Sequence, residues 1–123
     1  MEDLIRSGKI MYGVNTGFGE LARVKIGKEK LKELQKNIIL SHAVGAGDPV
    51  DPEVVRASIF LKLNAFLHGN SGVTPELTDI LKKMLNMNII PVTYKIGSLG
   101  ASGDLIPFAQ MFAVLYGKGN FYS

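Results

Sequence analysis

The chain has 123 residues, with 14 Lys and Arg against 11 Asp and Glu, so its formal net charge is +3 with both histidines neutral. That length fits one domain of about 100–150 residues, and 46% apolar with 20% charged residues excludes a disordered or collagen-like chain. The absence of cysteine excludes disulfides, thiolate nucleophiles and thiolate metal sites.

The chain opens on Met1-Glu2-Asp3-Leu4-Ile5-Arg6, two acids before a short apolar pair, which is unlike the basic and then apolar regions of a signal peptide. No run reaches the ~18 apolar residues of a membrane span. A cytoplasmic protein with no membrane partner and no metal site is expected. Glu29 and Glu33 interrupt the lysines of residues 25–36, so no basic patch supports nucleic-acid binding.

Glycine is in excess, 14 of 123 residues, or about 11% against a usual ~7%. Tyr12-Gly13-Val14-Asn15-Thr16-Gly17-Phe18-Gly19 is too rich in glycine for a regular element and reads as a shaped loop. On residue chemistry alone Tyr12 is an anchoring ring. From 28 to 44 the residues Leu31, Leu34, Ile38 and Ile39 recur at helical spacing, and Gly45 supplies a stop. A second helix, about 52–68, starts on Asp51-Pro52-Glu53, a cap followed by proline in the first turn, and its interior is apolar almost all round.

A third helix, about 75–88, starts with Thr74 as its expected cap and Pro75 at the first helical position, with Leu77, Ile80, Leu81, Met84 and Leu85 on one face. Residues 89–94 read as extended, because Pro91 biases Ile90 away from helical angles. A glycine loop at 97–103 leads into a fourth helix, about 104–116, where Pro107 is tolerable only in the first turn. The fold class is mainly α, with glycine-rich loops between helices. Helices two and four demand more burial than a four-helix unit of this length provides, which predicts extensive oligomerisation or a larger polypeptide.

The loop at 97–103 lacks the Gly-Lys-[Ser/Thr] of a phosphate loop, since Gly103-Asp104-Leu105 places an acid at the helix start, and it also lacks G-x-G-x-x-G. A structural turn and a ligand-binding loop both remain open on this chemistry. Ala101-Ser102-Gly103 permits a further reaction. The Gly103 nitrogen can attack the Ala101 carbonyl, and loss of water, including the Ser102 hydroxyl, leaves an electrophilic exocyclic alkene.

The segment Gly97-Ser98-Leu99-Gly100-Ala101-Ser102-Gly103-Asp104-Leu105-Ile106-Pro107 closely resembles the signature of the aromatic amino acid ammonia-lyases. Residues 12–19 resemble the same family's tyrosine loop, and residues 34–43 and 64–73 resemble two further family segments, all in the family's order. The resemblance implies the N-terminal portion of the ammonia-lyase helical fold, a partial lyase domain over 1–123 without a complete second domain. It implies an MIO group (4-methylidene-imidazol-5-one) formed autocatalytically from Ala101, Ser102 and Gly103, and a role for Tyr12 as general base. A phenol ionises near pH 10 in water, so such a base requires neighbouring donors or a helix N-terminus.

Leu40-Ser41-His42-Ala43 resembles histidine ammonia-lyases, which implies that His42 lies beside the ring of an amino acid substrate. A satisfied histidine at a helix end is the other reading of His42, and the preferred one for His68. The implied reaction eliminates ammonia from L-histidine to give trans-urocanate. Tyrosine or phenylalanine lyases and aminomutases of the same family are the alternatives. The family's length and its tetrameric assembly imply a homo-oligomer or a complementing C-terminal lyase part, with a non-enzymatic relic as the competing expectation.

Overall fold

Proline has no N–H to offer and a φ already near the helical value, so it fits the first turn of a helix, and two helices here begin on one. They are α2 (Pro52–Leu67) and α3 (Pro75–Asn86), which follow α1 (Leu31–His42) and precede α4 (Leu105–Ala113). The computed structural model describes residue 3 and residues 6–100 and 103–123. Two compact units are present, Met1–Ile38 and Ile39–Ser123, and α1 contributes residues to each.

Asp51 caps α2 by accepting the Glu53 N–H at 2.9 Å. Thr74 precedes α3 without capping its backbone; its hydroxyl serves the Glu76 carboxylate instead. Together with its own backbone N–H, which contributes most, that hydroxyl holds the Glu76 carboxyl below its ordinary range. The predicted helix over 28–44 is a 3-10 turn at Lys28–Lys30 followed by α1, which ends at His42, three residues before Gly45. Gly45 is therefore not the helix stop that the sequence pattern suggests.

The second unit also holds two short antiparallel ladders. β1 (Ala46–Pro49) pairs with β3 (Tyr94–Ile96) through Ala46 with Ile96 and Pro49 with Tyr94. β2 (Ile90–Pro91) pairs with β4 (Phe121–Tyr122). Pairing across forty-five to fifty residues for β1 with β3 is not a local property, so β1 has no alternating pattern to announce it.

The core of this unit gathers Val55 and Ile59 of α2, Leu81 and Met84 of α3, Ile90 of β2 and Met111 of α4. Ile59 and Leu81 are completely buried. Leu63 and Phe66 extend the α2 stripe at helical spacing. The rest of α2 is left uncovered, as expected of so apolar a helix in a unit of this length: Val54, Phe60, Leu61 and Leu67 are all more than half exposed on this chain. In α4 burial is more complete: Ala109, Gln110, Met111 and Ala113 are enclosed, and the helix passes into a 3-10 turn at Val114–Tyr116 that Gly117 closes at φ 68°. Among the described residues no helix is long and apolar enough to cross a membrane.

Replacing Ile59 by Ala removes the most enclosed side chain of α2, and the expected loss is about 2–5 kcal/mol in chemical denaturation. Glu76 supplies a pH test. Its carboxyl is held low in the fold, so its contribution is present above the ordinary glutamate range and is lost as pH falls through the lowered value. Glu76→Gln should remove that acid-side component, read as a flatter stability profile below neutral pH.

Candidate functional site

In the first unit a glycine-rich turn becomes a defined shape because two short polar side chains are buried in it. Asn15 is 3% exposed and Thr16 fully buried. The Asn15 carboxamide accepts the Met11 N–H at 2.8 Å and donates to the Lys9 carbonyl at 2.8 Å. The Asn15 carbonyl accepts the Ile26 N–H at 2.9 Å. Thr16 Oγ1 accepts from the Gly13 N–H at 3.2 Å and donates to the Gly17 carbonyl at 2.8 Å, while Thr16 also pairs with Lys25 across an antiparallel bridge.

Two of the glycines have specific reasons. Gly13 adopts φ 72°, in the left-handed region that side chains disfavour. At Gly17 a Cβ would come within 2.6 Å of the Leu21 Cβ and 2.9 Å of its carbonyl oxygen. Gln35 of α1 donates to the Gly13 carbonyl at 3.1 Å, which ties this loop to the helix behind it. The result is a presented Tyr12: its ring is 66% exposed and is touched edge-on by Phe18, with centroids 6.0 Å apart.

In the second unit His42 is the last residue of α1, partly buried, with Nδ1 3.0 Å from Ser41 Oγ. That contact orients the imidazole at the carbonyl end of the helix, where the backbone dipole favours a cation or a donor. His68 follows α2 and is exposed.

The glycine loop ends in an unusual backbone. Gly103 has φ 74° and Asp104 has φ 55° and ψ 45°, two successive left-handed residues of which the second carries a side chain. Asparagine and aspartate tolerate this region better than most, and at functional sites it marks stored strain. Ser98 Oγ donates to Asp104 Oδ1 across the loop, and the Gly103 N–H turns back toward the Gly100 carbonyl at 3.4 Å. At the other end Gly97 has φ 137°, and a Cβ there would meet Ile106 at 2.8 Å. Gly103 has open space where a Cβ would stand, so its positive φ, not crowding, demands glycine.

Among the residues predicted for the site, Tyr12 lies in the first unit, and His42 and Gly103 lie in the second. Ala101 and Ser102 fall outside the described residues. Sequence reasoning missed the polar pins Asn15 and Thr16 and the Ser98–Asp104 clasp. Their one sequence signal is position: each is a short polar residue next to, or one residue from, a glycine.

A family model described as aromatic amino acid lyase matches residues 1–123. The histidine ammonia-lyase of Treponema denticola is 49% identical over 122 residues, covering 99% of this chain and 24% of that protein. Among solved structures, a tyrosine aminomutase from Streptomyces globisporus superposes with a TM-score of 0.90 at 34% identity, covering 99% of this chain and 23% of the other. Histidine ammonia-lyase from Trypanosoma cruzi does so with a TM-score of 0.85 at 30% identity, with coverage of 99% and 22%. The chain thus spans about a quarter of the length of the relatives it matches.

Asn15→Ala leaves the Met11 N–H and the Lys9 carbonyl without their partner. The expected cost is about 1–3 kcal/mol, accompanied by faster amide hydrogen exchange at Met11 than in the parent chain.

Proposed function

Because the chain belongs to the aromatic amino acid lyase family, we propose that it works as part of a histidine ammonia-lyase, eliminating ammonia from L-histidine to give trans-urocanate. The observation that carries this reading is the lyase signature of residues 97–107, together with the left-handed Asp104 that Ser98 holds by a hydrogen bond. The roughly 49% identity to a histidine ammonia-lyase supports histidine as substrate over the other aromatic amino acids.

The residues present fit an MIO group. Gly103 supplies a nitrogen without a side chain on its own residue, in a conformation that only glycine adopts readily, two residues before α4. Ala101 supplies the carbonyl, and Ser102 the carbon and hydroxyl from which the alkene forms. When present, the group offers an electrophile that makes the amine a better leaving group.

The chain's own residues then have separable tasks. Tyr12, on the loop that the Asn15 and Thr16 pins shape, removes the β-proton through its phenolic oxygen, with the donors that its phenolate requires coming from the rest of the assembled pocket. Proton abstraction at that carbon is the hard part of the reaction, because the β-hydrogen is barely acidic. His42, oriented by Ser41, takes a hydrogen bond with the substrate's ring and so selects imidazole over a plain phenyl group. Since the chain is about a quarter of its relatives' length, the working enzyme draws the rest of its pocket from further lyase sequence and from other subunits of a homo-oligomer. The absence of cysteine suits a reducing cytoplasm.

The likeness to a tyrosine aminomutase favours one second reading, a shift of the amino group to give a β-amino acid. Intact mass is the first test. Loss of two waters, about 36 Da, confined to a peptide containing residues 97–105 is expected, and an unmodified mass rejects the lyase in favour of a relic. With the modification in place, urocanate as product of histidine supports the lyase, and a β-amino acid from tyrosine or phenylalanine supports the aminomutase.

A further inference from the structure

Gln110 is a buried polar residue to which the proposed reaction assigns no task. It sits in the middle of α4, an otherwise apolar helix, and is only 7% exposed. Its Oε1 accepts the Tyr94 backbone N–H at 2.7 Å, which identifies that atom as the oxygen. The amide nitrogen at the other end has no protein partner among the described residues. One end of this carboxamide is matched by the Tyr94 N–H, and the other gains no protein hydrogen bond from its burial. The Tyr94 bond accounts for the oxygen end of this carboxamide and not for its nitrogen end.

Its surroundings do. The carboxamide fills the space in which a side chain at Gly45 would stand, so that a Cβ built there overlaps Nε2 and crowds Oε1 at 2.7 Å. Gly45 has no positive φ to require glycine, and the close approach of Gln110 is what excludes a side chain. Gly45 lies three residues beyond His42 and directly before β1, which pairs with β3. One carboxamide thus touches three segments: α4, which opens from the glycine loop, β3 at Tyr94, and the exit from α1.

We propose that Gln110 is a positioning residue for His42, setting the end of α1 against α4 through Gly45 so that the imidazole stands at a fixed place relative to α4. The inference rests on the reading of His42 as a substrate-binding residue. The physical basis is rigidity. The bond to Tyr94 fixes the carboxamide, the missing Cβ lets the α1 exit close on it, and the β1–β3 ladder prevents that exit from sliding.

The test uses the assembled, MIO-bearing enzyme. Gln110→Met keeps the volume and removes the amide. The expected outcome is a KM for histidine raised about tenfold with kcat changed less than about twofold, the pattern of lost binding common to ground and transition states. The loss of two waters should persist, and the thermal midpoint should fall by only a few degrees as the Tyr94 N–H loses its acceptor. Gly45→Ala, which displaces the carboxamide while leaving it in the chain, should raise KM in the same way and provides the measurement if Gln110→Met does not fold.

In a His42→Ala background neither substitution should raise KM further, because a residue acting through His42 has nothing left to position. Additive effects of Gln110→Met and His42→Ala overturn the proposal, as does an unchanged KM in Gln110→Met and Gly45→Ala. If His42→Ala itself leaves KM unaltered, the assignment of His42 to substrate fails and the positioning role fails with it. A rise for His42→Ala alone rejects only the role of Gln110.

Discussion

The candidate loop is only as well placed as the helix that follows it, and the burial of α4 is the constraint on which the second unit depends. Met111 joins Ile59 of α2 and Leu81 of α3 in the core, and Ala109 and Ala113 are enclosed beside it. Small residues on this helix let neighbouring segments approach closely, and the apolar area buried favours one position over any other. A loop entering such a helix has one end fixed. The left-handed Gly103 and Asp104 are then the backbone's means of turning from the loop into the helix axis.

Away from the helices the unit of shape is a single buried polar side chain. Asn15 gathers Met11 and Lys9 with its carboxamide and Ile26 with its carbonyl, so three backbone groups from two stretches of irregular chain share one residue. Ser98 does the same for the far end of the candidate loop through Asp104. Such contacts contribute little net free energy each, but leaving one member unpaired in a buried place is costly, so they specify geometry more than they add stability. This division suits a site in which the reactive groups sit on loops and the helices serve as a rigid frame.

The helix α2 shows the opposite balance. Val55 and Ile59 face the core, while Val54, Phe60, Leu61 and Leu67 remain exposed on this chain. A helix apolar on all sides is typical of the interior of a larger structure, and relatives about four times as long provide the setting in which such a helix is ordinary. The mainly α character follows the same relatives, whose solved structures superpose on nearly the whole chain.

Local rules decide much of this protein. Proline at a helix start made α2 and α3 legible from Pro52 and Pro75 onward, helped by the Asp51 cap for α2 and by a stripe at helical spacing for α3, because each rule concerns neighbours within a few residues. The family signatures made both loops legible as well, since their glycines answer to backbone conformation that the residue type itself permits. Tertiary structure alone decided the rest. α1 stops at His42 and not at the glycine, β1 finds its partner beyond α3, and Gly45 owes its identity to Gln110, sixty-five residues away. Those features depend on which distant surfaces meet, and pairing at a distance leaves no period in the sequence to read.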